Sequence, residues 1–297
     1  MKILNIGSLN YDFVYSINHI VKPGETEAAS KVEVFAGGKG LNQSIALSRA
    51  GSKVYHAGML GTDGGMLLDT CKENNIDTSY IKTIEGKSGH AIIQVDKNGQ
   101  NSILLYGGSN RSLTKEYINE VLDYLEKDDW LLLQNEVNLI SYIIDKAYQN
   151  GIKIALNPSP FDGAITECDL SKVTLFLLNE IEGGQITGKS SPNEILNCMI
   201  DKYKQAKIVL TLGEQGVIYR DSKSETSHSI FKVKAVDTTA AGDTFTGYFM
   251  HSIINDLSIE EALELSSKAS AIAVSKPGAT NSIPYMKEVI ETDLDKL

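Results

Sequence analysis

The sequence predicts an α/β fold: a doubly wound, mostly parallel sheet flanked by helices, with a small β-sheet lid. Three observations carry that prediction. Short apolar runs alternate with stretches of helical periodicity along most of the 297 residues, the pattern left by successive βαβ units. Two places break this rhythm with strand-like segments that no helix separates, so they belong to a second, smaller sheet. A composition of 42% hydrophobic and 22% charged residues supplies a large buried core and gives no sign of disorder.

Taken in order, the buried strands fall at 3–6, 54–59, 130–134, 152–156, 174–178 and 208–212, each a short apolar run. The amphipathic stretches between them predict helices over 41–50, ended by Gly51, over 114–125, over 139–149, ended by Gly151, and over 192–203. The lid is expected from Lys31 to Phe35 (KVEVF) and from the segments 89–96 and 102–106. Lys97-Asn98-Gly99-Gln100 joins the last two, and Asn-Gly is a hairpin-turn signal. No repeat, low-complexity tract or Pro/Gly linker divides the chain. It reads as one domain over 1–297, with a lid subdomain formed by about 11–36 and 86–107.

The balance of charge narrows the partners. A formal net charge of -10, with no cluster of lysines, argues against nucleic acid and against an acidic membrane surface, and leaves small molecules. Cys71, Cys168 and Cys198 are odd in number and widely spaced, which suggests neither a disulfide framework nor a zinc site. The start MKILNIGSLN lacks the pattern of a secretory leader and no apolar run approaches 18 residues, so a soluble, cytoplasmic protein is expected. Residues 183–190, GGQITGKS, match the spacing of a phosphate-binding P-loop. Their context does not: Asn179-Glu180-Ile181-Glu182 separates the preceding strand from the first glycine, and Ser191-Pro192-Asn193-Glu194 starts a helix only after Lys189 and Ser190. The expectation is one helix ending at Gly188 and another opening at Ser191.

Three clusters carry chemistry. In Asp237-Thr238-Thr239-Ala240-Ala241-Gly242-Asp243, followed by a helical run from Thr244, small residues at a helix start let backbone N–H groups converge on an anion where the helix dipole is positive. Asn10 and Asp12 sit on alternate positions of an extended segment and point the same way, suited to hydroxyl groups. Gly37-Gly38-Lys39-Gly40-Leu41-Asn42-Gln43 places glycines before a helix that carries Asn42.

Together, in this order and spacing, these residues resemble the ribokinase-like (PfkB) family of sugar kinases over nearly the whole chain. Both family signatures are visible, AGGKGLNQSIALSRAG at 36–51 and DTTAAGDTFTG at 237–247. Asn179-Glu180-Ile181-Glu182 matches the family's N-x-x-E element, and Thr211-Leu212-Gly213-Glu214-Gln215-Gly216 its nucleotide loop. The form Asp-Thr-x-Ala-Ala-Gly-Asp, with Gly7-Ser8-Leu9-Asn10-Tyr11-Asp12 and Ala155-Leu156-Asn157-Pro158, is most similar to the ribokinase branch.

The resemblance implies an ATP-dependent kinase that transfers the γ-phosphate to the primary hydroxyl of a small sugar, D-ribose first, with a nucleoside or another sugar, or a non-catalytic sensor role, as rivals. It implies that Asn10, Asp12, Gly38, Lys39, Asn42 and Glu136 hold the sugar, with Ile93 over it. Asp243 would take the proton and the backbone of Ala240, Ala241 and Gly242 would receive the phosphate. Asn179 and Glu182 would act through Mg²⁺, Thr211, Gly213 and Gly216 would line the nucleotide side, and adenine would lie against the helix near Ser266 to Ala269. A monovalent cation, K⁺ by the same resemblance, would sit among Asp237, Thr239, Ala273, Lys276, Gly278 and Ser282. A homodimer formed through the lid is the implied assembly.

Overall fold

A computed structural model describes residues 1–296. Along the chain run β1 (Ile3–Ile6), β2 (Asn10–Ser16), β3 (Lys31–Gly37), α1 (Lys39–Arg49), β4 (Val54–Leu60), α2 (Gly65–Glu73), β5 (Asp77–Thr83), β6 (Gly89–Val95) and β7 (Asn101–Tyr106). Next come α3 (Lys115–Leu122), β8 (Trp130–Gln134), α4 (Ile140–Gln149), β9 (Lys153–Asn157), α5 (Gly163–Thr166), β10 (Leu175–Asn179), α6 (Glu180–Thr187), α7 (Pro192–Lys202) and β11 (Lys207–Thr211). The chain then forms β12 (Val217–Arg220), β13 (Glu225–His228), α8 (Ala241–Ile254), α9 (Ile259–Val274) and α10 (Met286–Glu291).

The large sheet has nine strands in the order β13-β12-β11-β10-β9-β8-β1-β4-β5, parallel except where β12 and β13 turn back as an antiparallel edge. Side chains alternate between its two faces with the period of two that a strand imposes. On β8, Leu131 and Leu133 point into a core shared with α3, α4 and α7, while Trp130 and Leu132 join a second core with α1, α2, α8 and α9. Burial on both faces is why these strands read as continuous apolar runs rather than as alternating ones. All six expected strands are present, and each differs from its expected bounds by no more than one residue per end. The expected helices are present too, starting or ending up to three residues away from where periodicity put them. The edge hairpin of β12 and β13 went unread, since its alternation of buried and exposed residues lacks a long apolar run.

The second sheet, β3-β2-β6-β7, is the expected lid, with β2 as the strand that joins its two halves. Asp96-Lys97-Asn98-Gly99 closes the β6–β7 hairpin, with Gly99 in the left-handed region at φ 78. The P-loop decoy resolves as expected: α6 ends at Gly188 in the left-handed conformation, and Ser191 caps α7 by accepting from the Glu194 N–H. Lys189 and Ser190 lie in the connection between them.

One helix crossing fixes the site. The N-terminus of α1 lies against the end of β1 so closely that a Cβ on Gly40 would come within 2.3 Å of the Ser8 nitrogen. Further along, α1 meets α8 where a Cβ on Gly247 would fall 2.3 Å from Ala46 Cβ and 2.8 Å from the Leu47 nitrogen. Only glycine permits that approach. Gly247→Ala should therefore lower stability by about 1–3 kcal/mol, the usual cost of overpacking a filled core. Urea unfolding measures it; an unchanged midpoint would contradict this packing.

Candidate active site

The site lies where the carboxyl ends of the central strands meet the first turn of α8. Ala240 precedes that turn at φ 59, a left-handed conformation that costs an alanine strain glycine would not bear. The distortion aims the first free N–H groups of α8 outward, at the positive end of a 14-residue helix. A Cβ on Gly242 would meet nothing within 4 Å, so the approach to those groups is open. Asp243 follows, buried at 7% exposure. Its two oxygens are held separately: Asn42 Nδ2 donates to Oδ2 at 3.0 Å and Gln43 Nε2 to Oδ1 at 2.9 Å.

Asn42 has a second function in view. Its Oδ1 is buried without a hydrogen-bond partner and the residue lines a polar cavity of about 500 Å³. An acceptor so placed suits a ligand hydroxyl. The same cavity is lined by Asn10, Asp12, Gly38, Lys39, Ile93, Glu136, Asn179, Glu182, Thr211, Thr239, Ala240, Gly242 and Asp243. The fold thus brings to one hollow residues that the sequence scatters from β2 to α8.

The hollow is rich in carboxylates around one lysine. Burial raises the Asp12 carboxyl to about 7, and the negative charges of Glu136 and Asp243 add to the rise. Burial also raises Glu136, against the Lys39 charge, the Ser8 hydroxyl that donates to it and the Lys39 N–H at 3.0 Å. For Lys39, burial works against the charged form but is outweighed by Asp243, Glu136 and Glu182, which together raise it and keep the ammonium charged. Gly37 leaves room for the Asp12 carboxylate, since a Cβ there would fall 2.0 Å from its Oδ2.

Asn179 and Glu182 form a reciprocal capping box at the start of α6. Asn179 Oδ1 accepts from the N–H groups of Ile181 and Glu182 at 2.9 Å each, and Glu182 Oε2 accepts from the Asn179 N–H at 3.1 Å. The pair is therefore held rigidly at the cavity wall, and the second Glu182 oxygen lies outside the cap. A second hollow of about 680 Å³, lined mostly by apolar groups, lies on the other side of the α8 N-terminus. Gly213, Gly216, Ala241, Ser267, Ser270 and Val274 line it, and Thr238 lines both hollows.

Ser266 is misplaced in the sequence reading. It is fully buried and its hydroxyl donates to Ala262 O at 2.6 Å, because position 266 of α9 faces the core; Ser267 and Ser270 line the second hollow instead. Asp237, Ala273, Lys276, Gly278 and Ser282 line neither hollow. They lie on two segments stitched together beside α8: Val274 O accepts from Val236 and Asp237, and Asp237 Oδ2 accepts from the Gly278 N–H at 2.9 Å. Among the described residues there is no cluster of three or more His, Cys, Asp or Glu of the kind that binds a metal directly.

Several residues escaped the sequence reading. Asn110 donates to Asn10 Oδ1 at 2.7 Å and accepts from the Leu9 N–H at 3.0 Å, so it orients Asn10 from 100 residues away. Ser8, Gln43 and Gln134 are likewise buried beside the site. Gln43 was visible as the neighbour of Asn42, but nothing local marks it as a partner of Asp243.

The model of the pfkB family of carbohydrate kinases matches residues 1–286. The chain is 35% identical to the ribokinase of Haemophilus influenzae, over 96% of each chain. Its fold is similar to the crystal structure of ribokinase from Thermotoga maritima, with a TM-score of 0.89, 30% identity and 98% of both chains covered. It is also similar to the Arabidopsis thaliana ribokinase solved with ribose and ATP, with a TM-score of 0.87, 26% identity, and coverage of 98% and 97%. No helix among the described residues is long and apolar enough to cross a membrane.

Asp12 tests the electrostatics without any substrate. Its carboxyl titrates near 7 when folded and near about 4 when unfolded, so between those values the folded state binds the extra proton and stability falls as pH rises. Asp12→Asn should melt above wild type at pH 8, with the difference shrinking toward pH 4. Thermal melts across that range decide it; a variant melting at or below wild type at pH 8 would count against the buried charge.

Proposed function

This chain belongs to the pfkB family of carbohydrate kinases, and from that premise we propose that it transfers the γ-phosphate of ATP to the primary hydroxyl of D-ribose. One observation carries the reading. Asp243 and the open N–H groups of α8 lie at the junction of a polar hollow and a more apolar one, so an acceptor hydroxyl and a nucleotide can approach one anion-binding point from opposite sides. The similarity to ribokinases at this level of identity and coverage favours ribose over a nucleoside or another sugar.

In this reading Asn10, Asp12, Lys39, Asn42 and Glu136 hold the sugar hydroxyls beside the backbone of Gly38, and Ile93 covers the ring. The primary hydroxyl oxygen bonds to the γ-phosphorus, the bond to the bridging oxygen breaks and ADP leaves, while Asp243 takes the hydroxyl proton. The transition state is loose and the hydroxyl becomes acidic late, so the position of Asp243 matters more than its basicity. The N–H groups of Ala240 and Gly242 offset charge growing on the transferred phosphoryl, while that of Ala241, expected to join them, already donates to Thr238 O at 3.3 Å. Gly213 and Gly216 line the nucleotide side, with adenine against Ser267 and Ser270, whereas Thr211, expected beside them, stands on the wall of the polar hollow.

Glu182 fits a hydrated Mg²⁺, since it is buried at the cavity wall with one oxygen outside its cap, and Asn179 stands beside it. The ion supplies charge neutralisation for the phosphates. A K⁺ ion fits the paired segments that carry Asp237, Thr239, Ala273, Lys276, Gly278 and Ser282. The Asp237 carboxyl is kept below its ordinary range by Thr239 and Gly278, against its burial, and the Lys276 ammonium is drawn off to Glu288 at 2.5 Å, leaving its carbonyl. The lid segments, about 11–36 and 86–107, close over the sugar. Val32, Val34, Ile103, Leu104 and Leu105 are exposed there on and beside edge strands, which favours pairing of two lids in a homodimer. Three free cysteines fit a reducing cytoplasm.

ADP release with Mg-ATP across pentoses, hexoses and nucleosides, with and without K⁺, tests the assignment. Ribose should give the highest kcat/KM, and Asp243→Asn should lower kcat by about 10²–10⁴-fold with nucleotide binding kept. Turnover only with another acceptor would discard ribose. Sedimentation should give the mass of two chains for wild type and of one for Leu104→Asp, at a position exposed on the strand face that does not line the hollow; a monomeric wild type would remove the lid pairing.

A further inference from the structure

Beneath α1 runs a row of polar side chains that neither hollow accounts for. Asn5, Gln43, Ser44, His56 and Gln134 are all fully buried, and their hydrogen bonds form an unbroken line that ends on Asp243. Gln43 Nε2 donates to Asp243 Oδ1 at 2.9 Å, and more weakly to Asn157 Oδ1 at 3.3 Å. Gln134 Nε2 donates both to Gln43 Oε1 at 2.7 Å and to Asn5 Oδ1 at 3.0 Å. Asn5 Nδ2 donates to Ser44 Oγ at 2.8 Å and to Gly40 O at 2.7 Å. Ser44 pairs with His56 Nδ1 at 2.8 Å, and His56 Nε2 with Gly7 O at 3.3 Å.

The direction of every bond follows from the carboxylate at its end. An ionised carboxylate only accepts, so Gln43 turns its NH₂ to Asp243 and its oxygen to Gln134. Gln134 must then present its NH₂ to that oxygen, which obliges Asn5 to offer its own oxygen and turn its NH₂ to Ser44. The Ser44 oxygen is thereby an acceptor, so its proton goes to His56 Nδ1, and the imidazole carries its hydrogen on Nε2, facing Gly7 O. Burial keeps that ring neutral by pushing its titration down to about 4. The same orientation leaves Gln134 Oε1 buried without a partner, beside the Gly7 backbone. A buried acceptor left unpaired is rare enough to call for a cause, and the cause here is the double donation by Nε2.

We propose that Gln43 and Gln134 are positioning residues for Asp243: Gln43 fixes one carboxylate oxygen while Asn42 fixes the other, and Gln134 holds the Gln43 amide in the orientation that presents its donor. Neither glutamine lines the polar hollow, so neither is a contact for the substrate. The inference rests on Asp243 as the acceptor of the hydroxyl proton, and Asp243→Asn in the same assay checks that reading separately.

The test compares wild type with Gln43→Met, Gln134→Met and the double variant, at saturating ribose and Mg-ATP. Methionine keeps the length of the side chain and removes its donors. Each single variant should lose kcat, by about 10²-fold for Gln43→Met as for a reacting group displaced by an ångström, and less for Gln134→Met, with both KM values within about twofold of wild type. Because Gln134 acts only through Gln43, the double variant should be no slower than Gln43→Met alone. Melting curves separate lost folding from lost positioning. Losses in kcat that multiply in the double variant, a KM that rises in step with the loss, or a folded Gln134→Met with undiminished kcat would each overturn the proposal. Should Gln43→Met fail to fold, Gln134→Met decides alone. If Asp243→Asn keeps its activity, the role of Asp243 fails instead, which the glutamine variants alone could not produce.

Discussion

Everything at the site depends on how closely α1 can lie to β1 and α8. The Gly40 and Gly247 contacts set that distance, and with it the reach of two amides from α1 to a carboxylate on α8, 201 residues away for Asn42. An amide side chain spans only a few ångströms, so an extra methyl group in either contact would separate donor from acceptor. The crossing thus converts a packing constraint into the placement of Asp243. It also explains why one stretch of α1 is polar yet buried: Asn42, Gln43 and Ser44 are interior residues that serve a hydrogen-bond network rather than a hydrophobic core.

The site stores electrostatic tension. Asp12, Glu136, Glu182 and Asp243 share one hollow with Lys39, and burial works against each of the shifted groups Asp12, Glu136 and Lys39. A polyol with hydroxyl donors relieves such a cluster better than water that must be ordered there. The lid makes the hollow deep. β2 carries Asn10 and Asp12 into it on one face, because alternate residues of a strand point the same way, and Ala91, Ile93, Ile103 and Leu105 form the apolar cover.

Two features show how one residue can meet structural and chemical needs together. Asn179 and Glu182 close the start of α6 as a capping box, and the same bonds immobilise them at the cavity wall. Ala240 accepts a left-handed backbone that strains it, and the first free N–H groups of α8 gain their direction from that strain. In both cases a local energy term at a helix terminus is tied to the position of polar groups that face the hollow.

The sequence by itself determined the layers, the lid and most of the residues that line the polar hollow. Those features are written in local patterns: apolar runs with the length of a strand, helical spacing, Asn98-Gly99 at a hairpin, Ser191-Pro192 at a helix start, and short motifs whose members lie within a few residues of one another. Tertiary structure alone decided which side chain meets which. Nothing near Gln43 or Gln134 in the chain reveals that they form a line to Asp243, nor that Asn110 steadies Asn10, because these contacts join elements about 100 to 200 residues apart. Ser266 marks the boundary well: helical spacing places it on α9, but whether position 266 or 267 faces the second hollow depends on how that helix is rotated against α8. Rotation and crossing distance are set by the packing of whole layers, and a local pattern carries no record of them.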